Sequence, residues 1–259
     1  MNLPENIRKL VGDQPYTVEN TGLSAAQVRI YPDYVLKAEP CCERAEVHVR
    51  MLRWMHGKLP VPEVLCCETD AGMQYLLMSR ICGERASAPY YMERPALQAR
   101  LLADLLHQLW ETDCTDCPRV LTLDDMLAAG AERVKRFEVN TDEPEVFGQD
   151  GFYSPQKLLA WLEQNRPEPV PALSHGDFCL PNVLLNGESV GGMIDLGDAA
   201  GFDMWYDIAL CWRSLRRNFN GYYGGPVYSG LDSALFFDAL GIAPDWDRIR
   251  YFCYLDALF

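Results

Sequence analysis

The chain has 259 residues, 49% of them hydrophobic and 23% charged, with a formal net charge of −14. That length allows one large domain or two small lobes around a sizeable core. The acidic balance argues against nucleic acid and anionic membranes as partners, since both need a basic footprint, and no apolar run approaches the roughly 20 residues that span a bilayer.

The chain opens with MNLPENIRKL, which lacks the apolar core of a signal peptide. YTVENTGLSAAQVRIYPDYVLKAE, residues 16–39, predicts three strands joined by turns, with Val28, Ile30, Val35 and Leu36 as strand cores. RAEVHVRMLRWMHGKL, residues 44–59, has helical spacing, with Val47, Met51, Trp54 and Met55 recurring at i, i+4, i+7 and i+8. QYLLMSRI, residues 74–81, reads as a strand. Residues 93–111, ERPALQARLLADLLHQLWE, form an amphipathic helix with Leu101, Leu105 and Leu109 on its apolar face. SPQKLLAWLEQN opens a helix at Ser154, because Ser caps and Pro suits the first turn. Two further helices follow, DMWYDIALCWRSLRRNF from Asp203 and DWDRIRYFCYLDALF at the C-terminus.

The ten cysteines, including Cys41-Cys42, Cys66-Cys67 and Cys114-x-x-Cys117, do not resemble a secreted disulfide framework. No second Cys or His pair follows Cys117 at a zinc-binding spacing. The expectation is a cytoplasmic protein whose thiols pack as small hydrophobes. Strands concentrate before about residue 82 and helices after about residue 93. The expected fold is therefore α+β, with a β-rich lobe over residues 1–82 and a mainly helical lobe over 83–259. They would join near SRICGERASAP, and a cleft between them is a natural small-molecule site.

One stretch interrupts the helical part. LSHGDFCLPNVLLNGESVGGMIDLGD, residues 173–198, predicts a small hairpin, turning at Asn186-Gly187-Glu188. Asp177, Asn182 and Asp195 are spread around it. Asn182 and Asp195 are hard oxygen ligands that suit Mg²⁺, and Asp177 is a spare carboxylate. Lys37 sits in the strand YVLKA and would supply a cation for nucleotide phosphates. Taken singly, each is by default a turn, cap or strand-end residue. The combination His-Gly-Asp, four residues, Asn, then Ile-Asp is far more specific.

That combination, HGDFCLPNVLL…GMIDLGDA…WYDIALC, resembles the catalytic segment of the aminoglycoside phosphotransferases, relatives of protein kinases, and most of all the 3′-phosphotransferase subclass. GKLPVPEVL, YLLMS, TDCP, LGIAPDWDRIRYF and LDALF sit where that subclass has similar runs, so the resemblance covers essentially the whole chain. It implies a protein-kinase-like fold. It implies that Asp177 orients the acceptor hydroxyl, that Asn182 and Asp195 bind two Mg²⁺ ions, and that Lys37 holds the α- and β-phosphates of ATP or GTP. The loop TGLSAAQV would cover the phosphates, with Ser24 near the β-phosphate. Met78, Ser79 and Ile81 would belong to a hinge strand that reads the base. His175 and Asp207 would be structural. A cationic acceptor would be held by Asp177, Asp142, Glu143, Glu145, Asp256 and the carboxylate of Phe259, with Asp150 a further acid in the same loop. Those loop acids read equally well as a solvated turn.

This chain departs from that pattern in places. The glutamate that pairs with the lysine from the first helix is replaced by His48, and Glu43 and Glu46 lie nearby. Because a two-residue offset turns a helical side chain by about 200°, Glu46 can substitute only if the helix shifts. Val35 stands where an aromatic residue stacks on the base, and Tyr34 points to the other face of the strand. Asp198 stands where the subclass has Arg, Ala257 follows Asp256, and NFNGYYGGPVYSG is an insertion. The resemblance implies an antibiotic-resistance kinase. Two other readings stay open: a kinase for another small amine or sugar, and a nucleotide-binding relative with weak or no catalysis.

Overall fold

The computed structural model describes residues 3–19, 26–149 and 151–259. Helix α1 (Glu5–Val11) precedes strands β1 (Thr17–Glu19), β2 (Gln27–Ile30) and β3 (Tyr34–Pro40). Helix α2 (Glu43–Met55) then leads to the hairpin of β4 (Val64–Asp70) and β5 (Met73–Ser79). Among the described residues these strands make one antiparallel sheet in the order β1-β2-β3-β5-β4. Its register places Val35 opposite Met78 and Lys37 opposite Leu76. The pleat sends alternate side chains of β3 to opposite faces. Leu36 and Ala38 enter a small core with Ile7 and Val11 of α1, and Tyr34 packs on the same side. Val35 and Lys37 face the other way.

The chain then crosses to β6 (Glu84–Arg85), a short helix α3 (Pro89–Met92) and the long helix α4 (Pro95–Glu111). Helix α4 begins two residues later than its apolar pattern suggests, because Pro95 occupies the first helical position and Arg94 is the cap. Its residues Leu101, Leu102, Leu105, Leu106 and Leu109 are all essentially solvent-free. Burial of each is worth about 1.5–3 kcal/mol, so this helix is the axis of the main core. After it come α5 (Leu123–Lys135), the short α6 (Pro144–Phe147) and α7 (Pro155–Gln164), of which α5 and α7 pack against each other. Ser154 caps α7 by accepting from the Lys157 amide, as its Ser-Pro start predicts.

Strand β7 (Pro171–Ser174) leads through a 3₁₀ turn, Leu180–Asn182, into the hairpin β8 (Val183–Asn186) and β9 (Ser189–Met193). Strand β10 (Ala200–Asp203) returns antiparallel to β7, and β6 joins the edge of β8. Helices α8 (Met204–Phe219), α9 (Ser233–Leu240) and α10 (Trp246–Asp256) complete the chain. Asp203 caps α8 and Asp245 caps α10. The C-terminal pattern overran its helix. Residues 257–259 form a turn, with the Phe259 amide donating to Asp256. None of the described helices is long and apolar enough to cross a membrane.

Candidate active site

The loop after β7 is built around a buried carboxylate. Asp207 of α8 accepts from the Ser174 hydroxyl at 3.0 Å and from the amides of His175 at 2.7 Å and Gly176 at 3.1 Å. Burial raises its pKa to about 6, opposed by His175 and these donors. Asp207 therefore ties helix to loop. Gly176 has φ +80°, and a Cβ there would lie 2.2 Å from the Asp198 carbonyl oxygen, so only glycine lets the two loops touch. His175 is equally structural. Its Nδ1 accepts from the Asp177 amide at 3.2 Å, and its Nε2 lies 3.0 Å from the Ile194 carbonyl. That arrangement suits the neutral ring with its proton on Nε2.

This frame presents the three polar groups singled out by the sequence. The Asn182 side-chain amide donates to the Asp177 carboxylate at 2.8 Å and to its backbone carbonyl at 3.0 Å. The Ile194 amide donates to the Asn182 carbonyl at 3.0 Å, which sets Asp195 beside Asn182 although 13 positions separate them in sequence. Asp195 has φ +60°, a left-handed conformation uncommon outside glycine. Lys37 reaches across from β3, with its Nζ 3.1 Å from Asp195 Oδ1. Burial alone would raise the Asp195 pKa, but Lys37 and then Arg44 overrule it and hold the carboxyl well below the usual range.

Lys37, Asn182 and Asp195 line one cavity of about 580 Å³ between the sheet and the hairpin. Its walls include Val28, Ile30, Val35, Met78, Ile81 and Leu184, and Ser79 lies at its edge. Met78, Ser79 and Ile81 thus line the same cavity as Lys37, Asn182 and Asp195. Val35 faces the cavity and Tyr34 does not. Ser24 and the centre of its loop fall outside the described residues.

Two neighbours were not foreseen. Glu39, two residues along β3, places Oε1 3.3 Å from Lys37 Nζ. Arg44 of α2 spans Asp195 at 3.4 Å and Asp198 at 2.8 Å, so Asp198 has a cationic partner on another element. The helical acids do not reach the lysine. Glu43 and Glu46 are exposed on α2. His48 lines the cavity, is buried, and has no hydrogen-bond partner on either ring nitrogen among the described residues. Burial and the nearby Lys37 lower its pKa to about 3. The strand pleat was the signal that could have found Glu39, because i and i+2 share a face.

A second cavity, about 830 Å³, lies among α6, α8, α10 and the C-terminus. Glu143, Glu145, Asp256 and Phe259 line it, whereas Asp142 is exposed beside it. Each lining acid is already paired. Arg217 meets Glu143 and Glu145, Arg216 meets Glu145, and Arg213 holds Asp256 at 2.6 Å. Tyr206 donates to the same Asp256 at 2.9 Å. Arg133 donates to the terminal oxygen of Phe259 at 2.7 Å. The Cys179 thiol, its pKa raised by burial and by Asp177, is also within the fields of Arg213 and Asp256. Asp177 meets the first cavity through Asn182, which lines it.

A five-stranded sheet carrying a buried lysine, set over a helical body whose loop carries Asp, Asn and Asp, defines a protein-kinase-like phosphotransferase. The chain belongs to the phosphotransferase enzyme family, whose model matches residues 16–252, and is a kinase-type enzyme. It is 37% identical to an aminoglycoside 3′-phosphotransferase of Enterococcus faecalis, over 81% of this chain and 76% of that one. It is 31% identical to one of Niallia circulans over 100% of this chain and 98% of the other. Among solved structures, aminoglycoside phosphotransferase APH(3'')-Id of Streptomyces rimosus superposes with a TM-score of 0.80 at 27% identity, covering 97% of this chain and 95% of that one. The same enzyme in complex with ADP and streptomycin gives a TM-score of 0.77, with the same identity and coverage.

Proposed function

We propose that this chain is an aminoglycoside 3′-phosphotransferase-like kinase, transferring the γ-phosphate of ATP or GTP to an acceptor hydroxyl and so conferring resistance. The observation that carries this reading is the meeting of Lys37, Asn182 and Asp195 at one cavity, with Asp177 hydrogen-bonded to Asn182. The sheet-side lobe, taken as 1–82, binds nucleotide, and 83–259 supplies the catalytic loop and acceptor site.

In this reading Lys37 contacts the nucleotide phosphates and the apolar walls enclose the base. The donor set fits Mg²⁺. Asn182 spends its amide N–H on Asp177, which leaves its carbonyl oxygen for a cation, and Asp195 is a carboxylate held ionised. Two protein oxygens with the remainder from water and phosphate is the habit of this ion. Magnesium bound there would neutralise charge on the phosphates. Asp177 accepts the proton of the acceptor hydroxyl as the new oxygen–phosphorus bond forms and the bond to the nucleoside diphosphate breaks. Asn182 fixes the carboxylate for that task. Transfer is direct, with no phosphoenzyme.

ADP release with ATP and Mg²⁺ tests this, against kanamycin, neomycin and no acceptor, with Asp177→Ala as control and GTP in parallel. Acceptor-dependent release that the variant loses supports the proposal. Nucleotide binding without turnover favours a non-catalytic relative instead.

One observation favours a second reading, a kinase for a less cationic amine or sugar. The acids of the acceptor cavity are matched by Arg213, Arg216 and Arg217, so the cavity is not a bare anionic surface. Turnover of a neutral or monocationic sugar above that of kanamycin would select it.

A further inference from the structure

The structure assigns to Glu39 the positioning of Lys37, a role that rests on the proposed reading of Lys37 as the phosphate-binding cation. A buried ammonium needs a carboxylate that stays with it throughout the cycle. Lys37 has two carboxylates within ion-pair distance, Asp195 at 3.1 Å and Glu39 at 3.3 Å. Asp195 also faces Arg44 and the cavity, and in the proposed reading it is the carboxylate that takes a cation when nucleotide binds. Glu39 is free of that conflict. It is buried, and Lys37 is the cation within its reach among the described residues. Its Oε1 has no hydrogen-bond partner among the described residues, so no other donor there competes with Lys37 for that oxygen.

The backbone makes the pair rigid. Lys37 and Glu39 lie on one face of β3, the middle strand of the sheet, with Lys37 paired to Leu76 and Glu39 to Gln74 of β5. From the opposite wall, α2 offers no negative charge. Glu43 and Glu46 are exposed, and the residue α2 turns into the cavity is His48, held neutral by burial and by Lys37. The lysine is thus oriented along its strand and not from the helix. Motion of α2 would leave the pair intact.

Steady-state kinetics of Glu39→Gln, Lys37→Met and the double variant Glu39→Gln/His48→Glu test the assignment. Glu39→Gln should raise KM for ATP about tenfold while KM for the acceptor stays within about twofold, as removal of one charge-assisted interaction predicts. A carboxylate restored from the helix side in the double variant should bring KM for ATP back to within about threefold of wild type. A merely structural Glu39 would not be rescued by charge on another element. If Lys37→Met raises KM for ATP and Glu39→Gln does not, the assignment to Glu39 falls and the reading of Lys37 stands. If Lys37→Met leaves it unchanged, the reading of Lys37 falls and takes the assignment with it. Should Glu39→Gln not fold, Glu39→Asp carries the test: it withdraws the charge by one methylene, and an unchanged KM for ATP overturns the proposal.

Discussion

Asp177 accepts the amide of Asn182, and in the proposed reading the rest of its carboxylate serves the acceptor. General-base assistance contributes about 10²–10⁴-fold. Asp177→Asn is therefore expected to lower kcat by about that factor with KM for ATP nearly unchanged, as steady-state assays will read. His48 makes a different prediction. Its pKa is near 6.5 when unfolded and about 3 in the fold. Between those values the unfolded chain binds the extra proton, so stability falls as pH falls through 6.5 toward 3, by up to about 1.4 kcal/mol per pH unit. His48→Gln removes this acid sensitivity. At pH 5 the wild type should lose about 2 kcal/mol more than the variant, relative to pH 7.5. That is roughly 4–8 °C in Tm for a chain of this size, which thermal unfolding at the two pH values will measure. Arg217 neutralises Glu143 and Glu145 from a buried position. Arg217→Ala would release Glu143, while Arg216 still holds Glu145, and the freed carboxylate can rehydrate and, in the proposed reading, face an ammonium of the acceptor. KM for kanamycin should then fall by about tenfold, the size of one charge-assisted hydrogen bond.

At the scale of elements, the loop between β7 and the 3₁₀ turn depends on one position without a side chain. Gly176→Ala would force a left-handed residue and an approach of 2.2 Å to Asp198. The expected cost is about 2–4 kcal/mol, seen as a lower Tm together with lost turnover, because Asp177 moves with the loop. Much of this architecture was legible. The hairpin, the long leucine helix and the Ser154 start follow from period and capping. Strand β4 was missed because its burial does not alternate: Val64, Cys66, Cys67 and Glu68 are half-buried, and the register shifts between Val64 and Cys66. Helix α5 was missed although Thr122 and Asp125 form a full capping box, since Leu127, Gly130 and Val134 make only a thin buried stripe. Asp177, Asn182, Asp195 and Lys37 stood out through local spacing and type. Arg44 did not, because its partners lie more than 150 residues away and no local pattern encodes such a pairing.

For the molecule as a whole, a net charge of −14 surrounds a cavity whose own acids are matched by arginines. Long-range attraction for a polycation then comes from the surface more than from the pocket, and salt screens it within about 8–10 Å near physiological ionic strength. Raising NaCl from about 50 to about 500 mM should raise KM for kanamycin several-fold and leave that of a neutral acceptor within about twofold. Steady-state assays at the two salt concentrations check this. Val35 also has a pharmacological side. The apolar part of the cavity proposed for the nucleotide is aliphatic, formed by Val28, Ile30, Val35, Met78, Ile81 and Leu184. A flat heteroaromatic inhibitor designed to stack on an aromatic ring at position 35 would meet the aliphatic Val35 instead. Its affinity would depend on filling space against aliphatic side chains, so compounds with bulkier saturated substituents would separate this enzyme from kinases whose slot holds an aromatic residue.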